Sequence, residues 1–377
     1  MNHLKEIFCS RQLNELFISF FLRSLSFALV GLFIPVYLLQ AGYGIFHIAL
    51  FFLISFSTSG ILMPFTFKLN HYIGVRKTIA LGTTLNVFYL YFLNSLSITG
   101  PAFYFLPFLA GLSEGIFWSG YHPEYSRSAI RSKEAGGLSV LKIIIIVSSI
   151  IGPFIGGLTI KHLSFNVLFI IAALLMLSAV IPLFASKDHK APLNKLTVKN
   201  IMNAGTKREL IAYQVDGSRV IMTLIFWPTF IYLTLKDVVS MGAIYSASAL
   251  AMIFVMVYLG RVSDKNPKKV FKVGIGIFSP LWIVRLFVFS PIGIFAVNFL
   301  SDVAQSAKEL TFGKHVYQRA KKVVNSIDYF TFREINLFIG RVIILAIAMI
   351  ILNLEWLFVV TAIISLGYLV LLKEMSD

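Results

Sequence analysis

Charged side chains lie inside long apolar segments of this sequence, where an ionised group costs about 2.5–3.5 kcal/mol on insertion scales. Charges in such segments commonly mark the path of a solute or an ion, so they are the first candidates for chemistry. Aromatic residues one or two helical turns away can wall an organic ligand. The candidates for substrate binding and proton coupling are Arg23, Glu114, Trp118, Tyr121, Lys142, Asp216, Arg219, Asp302, Lys308 and Glu309.

Glu114 is the acidic residue nearest the middle of its apolar segment. It lies about 12 residues into the segment, hence about 18 Å deep at 1.5 Å per helical residue. Burial disfavours the charged form of a lone carboxyl, so this group could take up a proton near neutral pH. Trp118 and Tyr121, at i+4 and i+7, would share its helix face. The alternative is a structural Glu114 paired with Arg23 or Lys142.

Arg23 and Asp216 lie 193 residues apart, at equivalent positions of a repeat described below. The repeat allows an ion pair between them across a pseudo-twofold axis. The alternative is that each is neutralised within its own half, Asp216 by Arg219 at i+3.

A second charged group lies in one later segment. Asp302 and Glu309 are seven residues apart and share a helix face. Lys308 either neutralises Glu309 or binds an anionic group. Arg285 is close enough to its helix end to reach the interface by snorkelling.

The composition defines the class of protein that must position these residues. The chain has 377 residues, of which 58% are hydrophobic and 13% charged, and a net charge of +16. A soluble domain of this length cannot bury so much apolar surface, so the sequence predicts a membrane protein. Its basic residues then lie beside anionic lipid rather than nucleic acid. The single Cys9 excludes an intramolecular disulfide, and the polar start predicts an uncleaved anchor.

Apolar runs of about 20 residues predict twelve transmembrane helices, since the runs are too long and uniform for barrel strands. A polar segment divides them into a six-helix bundle over residues 1–187, a basic cytoplasmic linker at 188–207 and a second bundle over 208–377. The expected fold is therefore all-α and polytopic. The predicted spans are 14–38, 44–67, 74–97, 101–127, 136–160, 164–186, 209–234, 239–262, 269–289, 293–319, 326–352 and 354–373.

Basic residues concentrate in every second loop, and this bias predicts the orientation. The positive-inside rule then places both termini in the cytoplasm. The expected location is the plasma membrane.

An internal repeat supports two equivalent halves. A constant shift of 193 residues places Pro35 on Pro228, Gly120 on Gly313 and His122 on His315. Several matches at one offset indicate duplication of a six-helix unit.

The loop between the eighth and ninth spans carries the most specific motif. It reads Gly260-Arg-Val-Ser-Asp264-Lys265-Asn-Pro-Lys-Lys269 and resembles the G-x-x-x-D-R/K signature of the major facilitator superfamily. The resemblance covers essentially the whole chain and implies two pseudo-symmetric six-helix bundles. It also implies that this loop is a cytoplasmic latch, whereas the simpler interpretation is a basic topology loop.

The equivalent loop between the second and third spans keeps Gly74, Arg76 and Lys77 as its gating residues. His71 stands where the family usually has Asp, so the latch in this half departs from the pattern.

The fifth span contains Gly152-Pro153-Phe-Ile-Gly156-Gly157, which resembles the G-P-x-x-G-G core of antiporter branches of the family. Small residues allow close helix packing and proline permits a bend. The motif favours export.

These features predict a secondary transporter, not an enzyme, that moves a small organic solute by alternating access. The sequence has no nucleotide-binding loop, so any active transport would draw on an ion gradient. Proton coupling is the expectation, and a facilitator or a sodium-coupled carrier are the alternatives. The expected partners are the substrate, protons and membrane lipids, for a monomer without metal, cofactor or nucleic acid. A lipid flippase on the same fold, or a polytopic enzyme or receptor, are the alternatives.

Overall fold

The computed structural model describes residues 11–96, 100–130, 134–191, 197–323 and 326–374. Within these ranges, the side chains at 64, 126–130, 134–139, 142, 257, 260–264, 321 and 326–327 are not described. The side chains of the predicted site residues Lys142 and Asp264, and the surroundings of Gly260, therefore lie outside the description. Every regular element in the described ranges is a helix, so the predicted all-α class is confirmed.

Eight α-helices precede residue 180. They are α1 Arg11–Val30, α2 Ile34–Gln40, α3 Ile45–Thr66, α4 Leu69–Tyr72, α5 Val75–Phe92, α6 Ala102–Ile130, α7 Glu134–His162 and α8 Phe165–Ser178. Short 3-10 turns follow α5 at Leu93–Ser95 and α8 at Ile181–Phe184.

Eight more α-helices follow the polar segment. They are α9 Val198–Asn203, α10 Lys207–Ile221, α11 Trp227–Leu235, α12 Val238–Lys265, α13 Pro267–Val284, α14 Pro291–Lys322, α15 Ser326–Ile351 and α16 Leu354–Ser365. A π-helical turn at Met222–Phe226 joins α10 to α11. Pro228, two residues after its end, has no N–H for a regular helical bond to the turn, which accounts for the local change in winding.

Nine helical segments among the described residues are long and apolar enough to cross a membrane. Three other long helices, α5, α6 and α14, occupy the predicted third, fourth and tenth spans and carry more polar residues. Twelve spans thus remains a prediction. Many large apolar side chains point outward, with Phe254 77% and Ile292 82% exposed, as expected for a surface that faces lipid.

The chain divides into two compact units. Unit 1 comprises residues 1–43 and 54–194, and unit 2 comprises 44–53 and 195–377. Each has its own apolar core, around Phe17, Phe117 and Tyr121 in unit 1 and around Tyr213 and Phe312 in unit 2.

Helices α1 and α7 pack closely in unit 1 because of the glycines in the G-P-x-x-G-G segment. A side chain at Gly152 would meet Ala28, and one at Gly156 would meet the carbonyl of Leu29 and the ring of Phe33. Glycine at i and i+4 therefore lets the backbones of the two helices approach, as small residues do in membrane helices.

Helix starts in unit 2 follow local sequence signals. Thr206 and Glu209 form a capping box, in which each side chain accepts a hydrogen bond from the other residue's backbone N–H. Ser290 and Asn353 cap α14 and α16 in the same way with a single side chain. The caps at Thr206 and Ser290 fix the starts of α10 and α14, which carry buried charges.

Candidate functional site

An ion pair joins Arg23 of α1 to Glu114 of α6 within unit 1. The Arg23 guanidinium donates to Glu114 Oε1 and also lies 3.7 Å from the sulfur of Met176. Its flat face packs on the ring of Phe117, 3.5 Å from the ring centre, and Phe27 lies at 4.6 Å. Cation–π contacts of this kind stabilise a guanidinium that has lost its water.

The Glu114 carboxylate accepts two further hydrogen bonds. Asn86 Nδ2 donates to Oε1 over 3.0 Å, and Trp118 Nε1 donates to Oε2 over 3.0 Å. Of the alternatives drawn from the sequence, the structure shows the one in which Glu114 is paired with Arg23. The carboxylate is therefore held in one orientation by partners on three helices.

A cavity of about 290 Å³ opens beside this ion pair. Its walls come from α1, α6 and α7, all in unit 1, and include Phe20, Phe27 and Trp118. The Glu114 side chain is 29% exposed, whereas that of Arg23 is 3% exposed, so the acidic partner is the one that faces open space. The hydroxyl of Ser148 in the same wall is buried and has no hydrogen-bond partner among the described residues.

Tyr121 lies behind this wall rather than in it. Its ring stacks on Phe20, with ring centres 4.9 Å apart, and also on Phe117. Tyr121 is buried in the core of unit 1 and does not line the cavity, whereas Trp118 lines it. Trp118 thus supplies the aromatic contact to Glu114, and Tyr121 supports the surrounding packing.

Asp216 of α10 is the centre of a second charged cluster, in unit 2. Its Oδ1 accepts from Arg219 Nε at 2.9 Å, Lys308 Nζ at 3.0 Å and the Tyr368 hydroxyl at 2.5 Å. Arg219 Nη2 also lies 3.2 Å from Glu309 Oε1. Two acids and two bases compensate one another, so Asp216 is neutralised within its own half.

Lys308 is fully buried in this cluster, at 0% side-chain exposure. Its ammonium lies 4.0 Å from the ring centre of Tyr368 and is bound to Asp216. Of the two roles drawn from the sequence for Lys308, the structure shows neutralisation of an acid, although that acid is Asp216 rather than Glu309.

Asp302 and Arg285 belong to a third group, around the α13–α14 pair. Asp302 Oδ2 accepts from Asn298 Nδ2 over 3.3 Å. The prediction that Arg285 snorkels to the interface is wrong, because the residue is 1% exposed. Its guanidinium lies between the rings of Trp227 and Trp282, 4.4 Å and 3.7 Å from their centres. Stacking between two indoles replaces contact with water.

The first signature loop forms a separate ion-pair network. Arg76 donates through Nη1 to Glu15 Oε2 at 2.7 Å and through Nε to Glu124 Oε1 at 2.8 Å. Gly74 precedes α5 with φ of +103°, a conformation that favours glycine, and Lys77 is exposed. Arg76 thus ties α1, α5 and α6 together within unit 1.

The second signature loop is described only in part. Lys265, at the end of α12, and Lys269, in the first turns of α13, are both exposed. In the fifth span, Pro153 and Gly157 are buried within α7. These placements leave the gating and antiporter interpretations as predictions.

One group of possible metal ligands occurs among the described residues. Glu209, His315 and Glu374 place ligand atoms within 4.8 Å of one another. Glu209 Oε1, however, already accepts from Arg319 Nε at 3.1 Å and from the Tyr329 hydroxyl at 2.7 Å. A guanidinium so close neutralises the carboxylate, so the geometry describes a buried ion-pair network.

Sequence reasoning missed several partners of the charged residues. Asn86, Tyr368 and Asn298 are polar residues of apolar segments, and this type of residue could have been flagged as a hydrogen-bonding group. The pairing of Arg76 with Glu15 and Glu124 joins residues 61 and 48 positions apart. No local spacing identifies such a pair.

The fold is that of a polytopic helical membrane protein, and comparison with known proteins specifies its family. The sequence profile described as "Major Facilitator Superfamily" matches residues 16–301. The chain therefore belongs to the major facilitator superfamily, and the predicted membership, polytopic fold and role as a transporter rather than an enzyme are confirmed.

Two kinds of relative are similar to the chain. The multi-drug resistance efflux pump PmrA homolog of Lactococcus lactis subsp. lactis (strain IL1403) is 26% identical over 326 residues, which cover 80% of this chain and 78% of that protein. The crystal structure of the nucleoside transporter NupG aligns with a TM-score of 0.74 at 13% identity. The alignment covers 97% of this chain and 100% of the NupG chain. A likeness at that identity shows the fold alone.

Proposed function

We propose that this protein is a proton-coupled exporter of small amphipathic organic solutes. The observation that supports the proposal best is the Arg23–Glu114 pair, whose acidic member opens on an aromatic cavity in unit 1. Alternating access of two six-helix halves, residues 1–187 and 208–377, would present this cavity to each side of the membrane in turn.

The walls and the charge of the cavity favour an amphipathic cation as the substrate. Phe20, Phe27 and Trp118 offer apolar and aromatic surface for a planar ring system. Glu114 is the more exposed member of the ion pair, and a carboxylate attracts a cationic group on the solute. A volume of about 290 Å³ lies at the small end of ligand pockets, which suits a single small solute.

Glu114 is also suited to link solute movement to a proton. A proton on this carboxyl removes its charge, and its attraction for both Arg23 and a cationic solute falls. Proton and solute would then compete for one group, so that binding of either favours release of the other. Arg23 retains the faces of Phe117 and Phe27 when the pair is broken, which limits the free-energy cost of that state.

Export rather than uptake is supported by two features. The relative from Lactococcus lactis carries the name of an efflux pump. The α7 segment from Gly152 to Gly157 resembles the antiporter motif. We further propose that both termini lie in the cytoplasm, on the basis of the loop charge bias. We also propose that the protein is a monomer in the plasma membrane, with lipids around it.

The test is ethidium efflux from an efflux-deficient bacterium that expresses the wild type or Glu114→Gln, with and without a protonophore. The matched control is Glu355→Gln, the same substitution at an exposed carboxylate in the first turn of α16. We expect efflux by the wild type and the control, abolished by the protonophore, and at least about tenfold slower efflux by Glu114→Gln. Equal efflux with and without the protonophore would refute proton coupling.

A further inference from the structure

The N-cap residue of α5 provides no side-chain acceptor for the first backbone N–H groups of the helix. The first backbone N–H groups of a helix have no partner within the helix and are usually bound by the N-cap side chain. The N-cap of α5 is Gly74, which has no side chain. His71, three residues earlier, stands where the family signature has an acid.

Asp188 supplies the missing acceptor from the polar segment that follows the sixth predicted span. Its Oδ1 accepts from the backbone N–H of Arg76 at 2.9 Å, and its Oδ2 accepts from the backbone N–H of Lys77 at 3.1 Å. The two donors are 112 and 111 residues away in sequence. A carboxylate at this helix end also gains from the partial positive charge there.

The residues around Asp188 bind the same loop through their backbones. The carbonyl of His189 accepts from the N–H of Val75 at 2.9 Å, and the N–H of Ala191 donates to the carbonyl of Asn70 at 3.2 Å. The His71 ring nitrogen Nδ1 lies 3.2 Å from the carbonyl of Ala191. The first residues of the linker thus follow the loop from its beginning to the start of α5.

Gly74 is the position that lets Asp188 approach. Its φ of +103° is rarely adopted by residues with a side chain, and a Cβ there would point directly into the Asp188 carboxylate. Any other residue at 74 would displace the carboxylate as well as strain the backbone.

Arg76 links this cap to the buried charges of unit 1. Its backbone N–H is held by Asp188, while its side chain bridges Glu15 and Glu124. The ring of His189, next to Asp188, lies 3.4 Å from the second oxygen of Glu124. The linker therefore contacts the backbone of Arg76 through Asp188, and one of the two acids that the Arg76 side chain binds through His189.

We propose that Asp188 is a positioning residue for the first signature loop, residues 67–77. From the linker, Asp188 supplies the acid that this loop lacks, and it thereby makes the start of the linker part of the gate. It acts through the backbone of α5 and the orientation of Arg76, not by contact with a solute.

The matched control is Asp237, which caps α12 in the same way but locally. Its carboxylate accepts from the backbone N–H groups of Val239 at 3.2 Å and Ser240 at 3.0 Å. Removal of either Asp deletes two hydrogen bonds from backbone N–H groups at the start of a helix. Asp237 also accepts from the Ser240 hydroxyl at 2.6 Å, and Asp188 from the His189 N–H at 2.7 Å. Of the two carboxylates, only Asp188 connects the linker to a signature loop.

The experiment is hydrogen–deuterium exchange on the purified full chain in detergent, for Asp188→Ala, Asp188→Asn and Asp237→Ala. Loss of a helix cap costs about 1 kcal/mol, which is about fivefold in local opening. Amides 75–78 should therefore exchange about fivefold faster in Asp188→Ala, with Asp188→Asn intermediate because an amide keeps one acceptor oxygen. Asp237→Ala should leave these amides unchanged. Wild-type exchange at 75–78 in Asp188→Ala, or equal acceleration in Asp237→Ala, would overturn the proposal.

Ethidium efflux by the same variants tests the role in gating. Asp188→Ala should slow efflux at least about threefold at equal expression, and Asp237→Ala should not. If the wild type moves ethidium and the two variants match it, the gating role is refuted even where exchange at α5 is faster. If the wild type moves no ethidium, the proposed solute class fails, and exchange at α5 alone decides on Asp188.

Discussion

The Arg23–Glu114 pair should show strong energetic coupling in a double-mutant cycle. The perturbations are Glu114→Gln, Arg23→Gln and the two together. Each single change leaves one charge of the pair without its partner, whereas the double change leaves neither. Because the pair holds α1 against α6, the double variant should lose less stability than the two single variants lose together.

The magnitudes follow from the unequal burial of the two side chains. Glu114→Gln leaves the guanidinium, 3% exposed, without its acid, and removal of one partner of a buried pair costs about 3–5 kcal/mol. The remaining contact with Phe117 places the loss at the lower end, about 3 kcal/mol. Arg23→Gln leaves a carboxylate that is 29% exposed and still bound by Asn86 and Trp118, so we expect about 1–2 kcal/mol.

The assay is unfolding of the purified chain by SDS in mixed micelles, followed by circular dichroism. The double variant should lose about 1–2 kcal/mol, whereas the single losses sum to about 4–5 kcal/mol, which corresponds to a coupling of about 2–4 kcal/mol between the two positions. Glu355→Gln combined with Arg23→Gln is the control cycle, since Glu355 is exposed on a helix of the other unit, and its effects should add. Additive losses at Arg23 and Glu114 would refute the ion pair as a structural and functional unit.

Three further predictions concern packing and the other buried charges. Gly156→Leu should prevent accumulation of folded protein in fluorescence-detected size-exclusion chromatography, because its side chain would enter α1, while Gly276→Leu, with open space around it, should be tolerated. Arg76→Gln should destabilise the chain by about 3 kcal/mol in the SDS titration, since it leaves two buried carboxylates without their shared cation; an unchanged midpoint would contradict the network. Lys308→Met should lower the free energy of unfolding in the SDS titration by about 3 kcal/mol and Tyr368→Phe by about 1 kcal/mol, because the first removes a buried charge and the second a hydroxyl. Equal losses would count against this ranking.

The helical fold could be predicted because long apolar runs admit only helices in a bilayer. Positions of the helices followed the same runs, with ends shifted by a few residues where caps such as the Thr206 box decide the boundary. Helices α5, α6 and α14 are not among the nine described segments that are long and apolar enough to cross a membrane, and they carry polar and charged residues such as Asn86, Glu114 and Lys308.

The site could be predicted in part. Charge inside apolar sequence identified Glu114, Arg23, Asp216 and Lys308, and the i+3 spacing identified Arg219 as a partner of Asp216. Contacts between helices could not be derived, because they depend on how helices pack rather than on local spacing. The Asp216–Tyr368 bond joins residues 152 positions apart.

Arg285 and Asp188 illustrate two limits of sequence reasoning. A charge near a helix end predicts snorkelling, but two tryptophans 55 residues apart enclose Arg285 instead. Asp188 reads as one charge in a basic linker, and only its distance to the start of α5 gives it a role. In both cases the tertiary partner overrides the local pattern.

The most direct test of the central claim is proton movement driven by solute in proteoliposomes that hold the purified chain and a pH-sensitive dye. With an acidic interior, external ethidium should raise the internal pH in vesicles with inverted wild-type protein or the Glu355→Gln control, because protons leave as the solute enters. Glu114→Gln should give no such signal, although it still folds. Proton movement by Glu114→Gln at the wild-type rate would contradict the assignment of this carboxyl as the coupling group.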